Sequence, residues 1–390
     1  MKITCVETIK IDRCLYVQVI TNNGIIGVGE SGAWAFLEAS ESVIKVFGEY
    51  LIGKDPLKIE HHWQYMYRCF HFRGAAVMSA ISAIDIALWD IAGKYFNTPV
   101  YQLLGGKCRY KARVYLQVFG RTKEELKEKC VLAKEKGYTA VGHLNPFLDE
   151  SRSEKYFKTY CSKIQEAIDT VKQCRESVGN EVDLCIEIHR RLKPSEAIIL
   201  AKGIEEYRPF FYEDPVPPDN FDALEYVAQK VNIPIATGER LHTIYEFEML
   251  LKRGFVQYIR PDLCLAGGIT HCKKIAALAE AYYTDVVPHN PLGPVSLAAC
   301  LQLAAAIPNF ALLEYPEGGL YVPKGGLFGE NKPIKKEIVK DFIKLSKGYI
   351  IIPDKPGIGI ELLKDAEEKY PFKQHSLETR LHEDGSVIDQ

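Results

Sequence analysis

Six short apolar runs in the second half of the chain end in groups that can hold a metal ion or move a proton. They are Ile186-Glu187-Ile188-His189, Tyr212-Glu213-Asp214-Pro215, Thr237-Gly238-Glu239-Arg240, Ile259-Arg260-Pro261-Asp262, Val286-Val287-Pro288-His289 and Leu312-Leu313-Glu314. The polar ends recur about every 25 residues, close to the length of a strand, a turn and a helix. Glu187, Glu213 and Glu239 end three consecutive runs, so one spot above the strand ends could receive all three carboxylates. Three such groups without a lysine repel one another, and a hard divalent cation removes the repulsion. An all-oxygen set suits Mg²⁺ or Mn²⁺ rather than zinc. Glutamates at strand ends are also ordinary solvated residues, and salt bridges to Arg190, Arg240 or Arg260 are the competing account.

A base is available next door. His289 ends the run after the one ending in Asp262, and a carboxylate beside an imidazole fixes its tautomer and raises its basicity. Asp262 has a second use, as a cap for the Gly267-Gly268 turn. A proton α to a carboxylate is a very weak acid, and its removal leaves two negative oxygens. A cation beside those oxygens lowers the barrier substantially, and a histidine base next to Mg²⁺ is a known solution to that problem. His189 lies two residues after Glu187, on the same side of a strand by alternation. It could protonate a departing hydroxide in a β-elimination of water, bind the metal, or donate a hydrogen bond to substrate. In Ala140-Val141-Gly142-His143-Leu144-Asn145, His143 and Asn145 share a face and are assigned to substrate binding. With one base there, elimination is favoured over racemisation, which needs a base on each face. Trp34 and Arg73 lie in polar, aromatic, glycine-bearing loops that suit a mobile lid or a plain surface.

These groups need a frame. Eight strand-like runs beginning at Val114–Val118, with helical patterns between them, predict a β/α barrel with its reactive groups at the C-terminal strand ends. Residues 2–30 alternate apolar and polar around an Asn23-Gly24 turn and predict a small antiparallel sheet. Helices are expected over 37–53, 58–70 and 75–96, and a long one from Ser153 to Ser177. The resulting division is an α+β part over 1–109, the barrel over 110–320, and a C-terminal segment over 321–390 that returns to the first part. The residues from His375 onward are polar and are expected to be weakly ordered. At 390 residues, 47% apolar, one large barrel with a second domain is the default. A net charge of −2 supplies no positive field for nucleic acid. The eleven cysteines include no C-x-x-C pair and suggest reduced, buried thiols in a cytoplasmic protein. The longest membrane candidate is read as Ser296 to Ile307, too short to span. No membrane association is expected.

The chain resembles the enolase superfamily, mandelate racemase subgroup, and within it the acid-sugar dehydratases similar to D-galactonate dehydratase. The resemblance rests on Ser79-Ala80-Ile81-Ser82-Ala83-Ile84-Asp85-Ile86-Ala87-Leu88-Trp89-Asp90, Leu103-Leu104-Gly105-Gly106, Glu213-Asp214-Pro215, Gly238-Glu239-Arg240, Pro261-Asp262, Ala266-Gly267-Gly268-Ile269-Thr270 and Pro288-His289-Asn290-Pro291-Leu292-Gly293-Pro294. It implies an α/β fold, a modified TIM barrel of the (β/α)₇β type capped by an α+β domain built from both termini. It implies Mg²⁺ on Glu187, Glu213 and Glu239, His289 with Asp262 as base, His189 as acid, and Glu314 as donor opposite the metal. The substrate would be an aldonate such as D-galactonate or D-gluconate, converted to a 2-keto-3-deoxy acid. Another acid sugar (D-mannonate, D-arabinonate), an epimerase, or a degenerate barrel kept as a binding protein are the alternatives. A homo-oligomer is expected. Three departures from the family pattern stand out. Glu187 replaces the usual Asp and is one methylene longer. His143-Leu144-Asn145 replaces Lys-x-Lys, against racemases and muconate cycloisomerases. The stretch His189-Arg190-Arg191-Leu192-Lys193-Pro194 is similar to D-mannonate dehydratases, which lack the Asp and His kept here at the sixth and seventh strands.

Overall fold

The computed structural model describes residues 1–148, 155, 157–316, 337–340, 342–374 and 379–388. The chain opens with an antiparallel sheet of β1 (Ile3–Ile11), β2 (Cys14–Thr21) and β3 (Ile26–Ser31), in that order. Gly24, at φ 83°, supplies the left-handed residue of the β2–β3 turn. Helices α1 (Leu37–Leu51) and α3 (Ala75–Tyr95) pack on this sheet, α2 (Ile59–Arg68) packs on α3, and a single turn, α4 (Val100–Leu103), follows. The longest apolar helix is α3, not the 296–307 stretch expected from sequence. By length and composition α3 could cross a membrane, but here it is the buried core of the first domain.

Strand β3 and helix α3 approach closely because β3 alternates glycine. A Cβ on Gly29 would stand 1.8 Å from the Ala83 carbonyl oxygen, and one on Gly27 2.1 Å from that of Ala87. This contact brings Asp90 of α3 to the backbone of β3. The Asp90 carboxylate accepts from Val28 N at 3.0 Å, from Ile358 N at 2.9 Å and from Lys94 Nζ at 2.7 Å. One buried acid therefore joins the first sheet, its helix and the returning C-terminal segment.

The second unit is a closed parallel barrel. Its strands are β4 (Lys111–Gln117), β5 (Ala140–Leu144), β6 (Asp183–Glu187), β7 (Phe211–Glu213), β8 (Ile235–Thr237), β9 (Tyr258–Ile259), β10 (Asp285–Val286) and β11 (Leu313–Tyr315). They pair in sequence order, β11 pairs β4, and a bridge between Val286 and Phe310 joins β10 to the approach of β11. Seven helices fill the crossovers: α5 (Lys123–Glu135), α6 (Tyr160–Val178), α7 (Pro194–Ile204), α8 (Phe221–Ala228), α9 (Ile244–Leu251), α10 (Gly268–Ala281) and α11 (Pro294–Ala306). The architecture is the expected (β/α)₇β. Helix α6 starts later than expected, at Tyr160, where the Thr159 side chain caps it; residues 153 and 154 lie outside the described residues.

Beyond the barrel, β12 (Val339–Lys340) pairs β15 (Glu361–Leu362), and the hairpin of β13 (Leu345–Ser346) and β14 (Tyr349–Ile351) extends the edge of β4. The chain then reaches the first domain, where Asp12 N donates to Tyr370 O and Lys373 N to Asp12 O. Residues 379–388 are ordered more than their polarity suggests. Leu381 bridges Val387, and Arg380 and Ile388 line a cavity with Phe147 and Leu192 of the barrel. All eleven cysteines are free, and Cys130, Cys174, Cys185, Cys264, Cys272 and Cys300 are buried.

Asp90→Ala strands two buried N–H groups and takes the carboxylate from Lys94, whose ammonium keeps the Ile26 carbonyl. It is expected to cost about 3–5 kcal/mol, read as a lowered urea midpoint. Asp90→Asn, which keeps an acceptor, should lose less. Equal stability of Asp90→Ala and wild type would contradict the clamp.

Candidate active site

The reactive groups collect at the C-terminal mouth of the barrel because the parallel ladders are in register there. Glu187 and Glu213 are the last residues of β6 and β7 and are direct ladder partners. Glu239 follows β8 by two residues. Asp262 and His289 extend past β9 and β10 and form a bridge of their own. Ligand oxygens of Glu187, Glu213 and Glu239 all lie within 4.8 Å of one another. The three carboxylates therefore converge as the sequence suggests. His289 Nδ1 is 2.9 Å from Asp262 Oδ2, and its Nε2 is 3.3 Å from Glu239 Oε2. Asp262 also accepts from Cys264 N at 2.7 Å. Its carboxylate thus holds Cys264 and the imidazole at once, but it does not cap the Gly267-Gly268 turn, where Gly267 N donates to Ser82 Oγ and Gly268 N to Leu263 O.

Two of the three arginines weighed as salt-bridge partners complete the site. Arg260 is buried, ion-paired with Glu213, and its Nη2 is 2.7 Å from Glu314 Oε2. Arg190 pairs with Glu239 and lies 3.4 Å from Asp214 Oδ2. Arg240, the third candidate, reaches out to Asp219 instead. Converging carboxylates and salt bridges were posed as rivals; the structure contains both. The signal for Arg260 was its place inside an apolar strand end, where an unpaired guanidinium would be costly.

Glu314 is held from three sides. It accepts from Gln117 Nε2, from Arg260 Nη2 and from Asn290 N at 3.0 Å. Burial opposes ionisation, but Arg260, His289 and the Asn290 N–H outweigh it and hold this carboxyl below the ordinary range. All three of these contacts use Glu314 as an acceptor.

His189 reaches the site, but not by strand alternation. Strand β6 ends at Glu187, and His189 and Arg190 take φ of 56° and 65°. This left-handed turn brings His189 Nε2 to 2.7 Å from Glu187 Oε1. His143 behaves similarly. A register shift in β5 between Val141 and Leu144, with His143 at φ 50°, aims its Nδ1 at Glu187 Oε2, 2.7 Å away. The bulge breaks the strand alternation between the two residues, and Asn145 is buried and accepts from Phe147 N. Trp34, from the first domain, stacks near His289 with ring centroids 6.5 Å apart. Arg73 is exposed and packs on Tyr67, with Nε 3.4 Å from Tyr67 O.

Charge decides what fits here. Six carboxyls (Glu187, Glu213, Asp214, Glu239, Asp262, Glu314) face two guanidinium groups, Arg190 and Arg260. Burial, opposed by Arg260 and aided by Glu187 and Glu239, pushes Glu213 well above the usual carboxyl range. Burial likewise opposes Glu239, yet Arg190 and His289 take it down to about 2. A divalent cation among these oxygens would relieve the surplus, and an all-carboxylate donor set fits a hard ion.

Family and structural comparisons agree with this geometry. A model described as "Enolase C-terminal domain-like" matches residues 125–366, and one for the "Mandelate racemase / muconate lactonizing enzyme, N-terminal domain" matches residues 2–105. The chain is 37% identical over 400 residues to a D-galactonate dehydratase from Cronobacter sakazakii, with 100% of each chain covered. An enolase structure from Agrobacterium radiobacter, with sodium and L-malate bound, is 31% identical with TM-score 0.91 and 100% coverage of both chains. An enolase-superfamily member from Salmonella Typhimurium is 31% identical with TM-score 0.85, covering 95% of this chain and 98% of its own.

Burial would lower the pKa of His289, but Glu239, Asp262 and Glu314 outweigh it and raise it from 6.5 to about 9. In metal-free protein the imidazole is expected to titrate near that value by NMR, and Glu239→Gln to bring it down. Because the folded value exceeds the unfolded one, this linkage stabilises fully below 6.5 and is lost as pH rises through about 9. A wild-type His289 titrating at or below 6.5 without metal would contradict the carboxylate field.

Proposed function

The chain belongs to the mandelate racemase / muconate lactonizing enzyme family of the enolase superfamily, and from that premise we propose that it is a Mg²⁺-dependent dehydratase of an aldonate, with D-galactonate first and D-gluconate second. The relative from Cronobacter sakazakii supports the dehydratase class and the galactonate choice. The observation that carries the reading is the Asp262–His289 pair beside three converging carboxylates.

Each residue then has a task. Glu187, Glu213 and Glu239 would hold the ion. Bound there, Mg²⁺ supplies positive charge against the negative charge that develops on the substrate carboxylate. Asp262 accepts from His289 Nδ1, which leaves Nε2 as the basic nitrogen facing the site. His289 Nε2 takes the α-proton. His189 gives its proton to the departing β-hydroxyl, so water leaves and an enol remains, which ketonises to the 2-keto-3-deoxy acid. Arg260, Gln117 and Asn290 fix Glu314, whose charge keeps the field around His289 negative. Trp34 covers the imidazole from the first domain.

A panel of acid sugars assayed for keto-acid formation, with and without chelator, tests the activity; no product from any aldonate in excess Mg²⁺ would sink it. Loss of a base or acid typically costs 10²–10⁴-fold. His289→Asn is expected to abolish both α-proton exchange with D₂O and dehydration. His189→Gln is expected to block dehydration while exchange persists. Exchange that survives in His289→Asn but vanishes in His189→Gln would reverse the two roles. Glu213→Gln should lose Mg²⁺ affinity by calorimetry together with turnover.

A further inference from the structure

His143 is a residue the elimination does not use, yet it is tightly placed. Its Nδ1 and His189 Nε2 each stand 2.7 Å from a different oxygen of the buried Glu187. The two rings meet edge to face with centroids 4.8 Å apart, and Phe119 packs against His143 at 4.5 Å. The three candidate ligand atoms lie within 4.8 Å of one another. The geometry points to a second metal site on His143, Glu187 and His189, suited to a borderline transition ion such as Zn²⁺ and inhibitory when filled.

Ligand chemistry separates this site from the carboxylate cluster. Two imidazole nitrogens and one carboxylate oxygen are the donor set of zinc centres that keep an open position, whereas Mg²⁺ prefers oxygens alone. Tetrahedral zinc with bonds of about 2.0–2.1 Å needs ligand atoms roughly 3.3 Å apart. The present N–O separations of 2.7 Å open to that value with small side-chain rotations. The ligands also arrive from two strand ends: the bulged β5 and the turn after β6. Glu187 explains why the set closes, since both of its oxygens are extended to the flanking imidazoles. An ion held there occupies His189 Nε2, the nitrogen assigned to proton delivery, and draws Glu187 away from the other two carboxylates. That inhibitory consequence rests on the proposed dehydratase reading; the site itself does not.

The test reads binding, so it separates from failure of the activity. Co²⁺, a spectroscopic stand-in for Zn²⁺, is titrated into full-length protein stripped of metal. Wild type is expected to give the intense visible bands of a four- or five-coordinate ion with nitrogen ligands. His143→Gln and His189→Gln are expected to weaken Co²⁺ at least about 100-fold, since losing even an outer partner costs 10–100-fold. Glu239→Gln, outside the set, keeps the Co²⁺ bands but loses Mg²⁺ by calorimetry. Retained Mg²⁺ binding in His143→Gln shows that the variant is folded. Weak octahedral bands in wild type, Co²⁺ affinity unchanged in both histidine variants, or its loss in Glu239→Gln would each overturn the proposal.

Discussion

A surplus of buried negative charge at the barrel mouth is the constraint on which the rest of the site depends. Carboxylates held a few ångströms apart in a low-dielectric pocket repel strongly, and each lost solvation energy on burial. The fold offsets this with cations placed at two depths. Arg260 lies below, between Glu213 and Glu314, with the faces of Tyr115 and Phe211 beneath it. Arg190 lies to the side, on Glu239 and Asp214. Neither guanidinium satisfies the whole set, and Glu213 stays raised despite its contact with Arg260. The uncompensated remainder is what makes the site receptive to a divalent ion and what makes His289 a strong base.

The first domain shares an apolar core with the barrel through Tyr16, Val28 and Ile86, and it acts on this site through polar contacts with the loops. Glu30, at the end of β3, accepts from Gly293 N at 2.6 Å and from Ser296 N at 2.8 Å, and so caps the N-terminus of α11 just after His289. Asp85 of α3 accepts from Thr270 N and Oγ1, Ser82 from Gly267 N, and Trp63 donates to Gly267 O. These bonds pin the turn that follows Asp262. The close passage of β3 over α3, which its glycines permit, is therefore linked to the dyad: it places Glu30 and Asp85 where the loops after β9 and β10 must end.

Much of this was legible in the sequence because strand-end chemistry has a fixed period. The three glutamates, Asp262 and His289 could be read from spacing alone, since in-register parallel strands carry equivalent positions to the same height. What escaped were groups whose direction depends on local departures from that period. His143 and Asn145 were read as sharing a face, but the bulge in β5 turns one to Glu187 and the other to the Phe147 backbone. Glu314 was legible as a site residue, but its three partners were not, because Gln117, Arg260 and Asn290 come from three distant segments. The hairpin at 379–388 was hidden by its polar composition, in which Arg380 is nonetheless buried.

Those departures share a physical form. His143, His189, Arg190 and Asp214 all have positive φ, between 39° and 65°, a region costly for residues with a Cβ. Such backbone persists only where surroundings over-determine it, and here they do. Ile188 N donates to Glu213 O, Arg190 N to Asp214 O and Asp214 N to Ala236 O, so the parallel ladder continues past the last strand residues into the turns. The Thr237 hydroxyl then fixes the Asp214 carboxylate at 2.6 Å. Each turn is tied to the next strand's end, and so a shift of His189 must carry Arg190, Asp214 and the β8 end with it. The acid, the ion's ligands and their counter-charges are in this way one mechanical unit, and that coupling is what the left-handed residues secure.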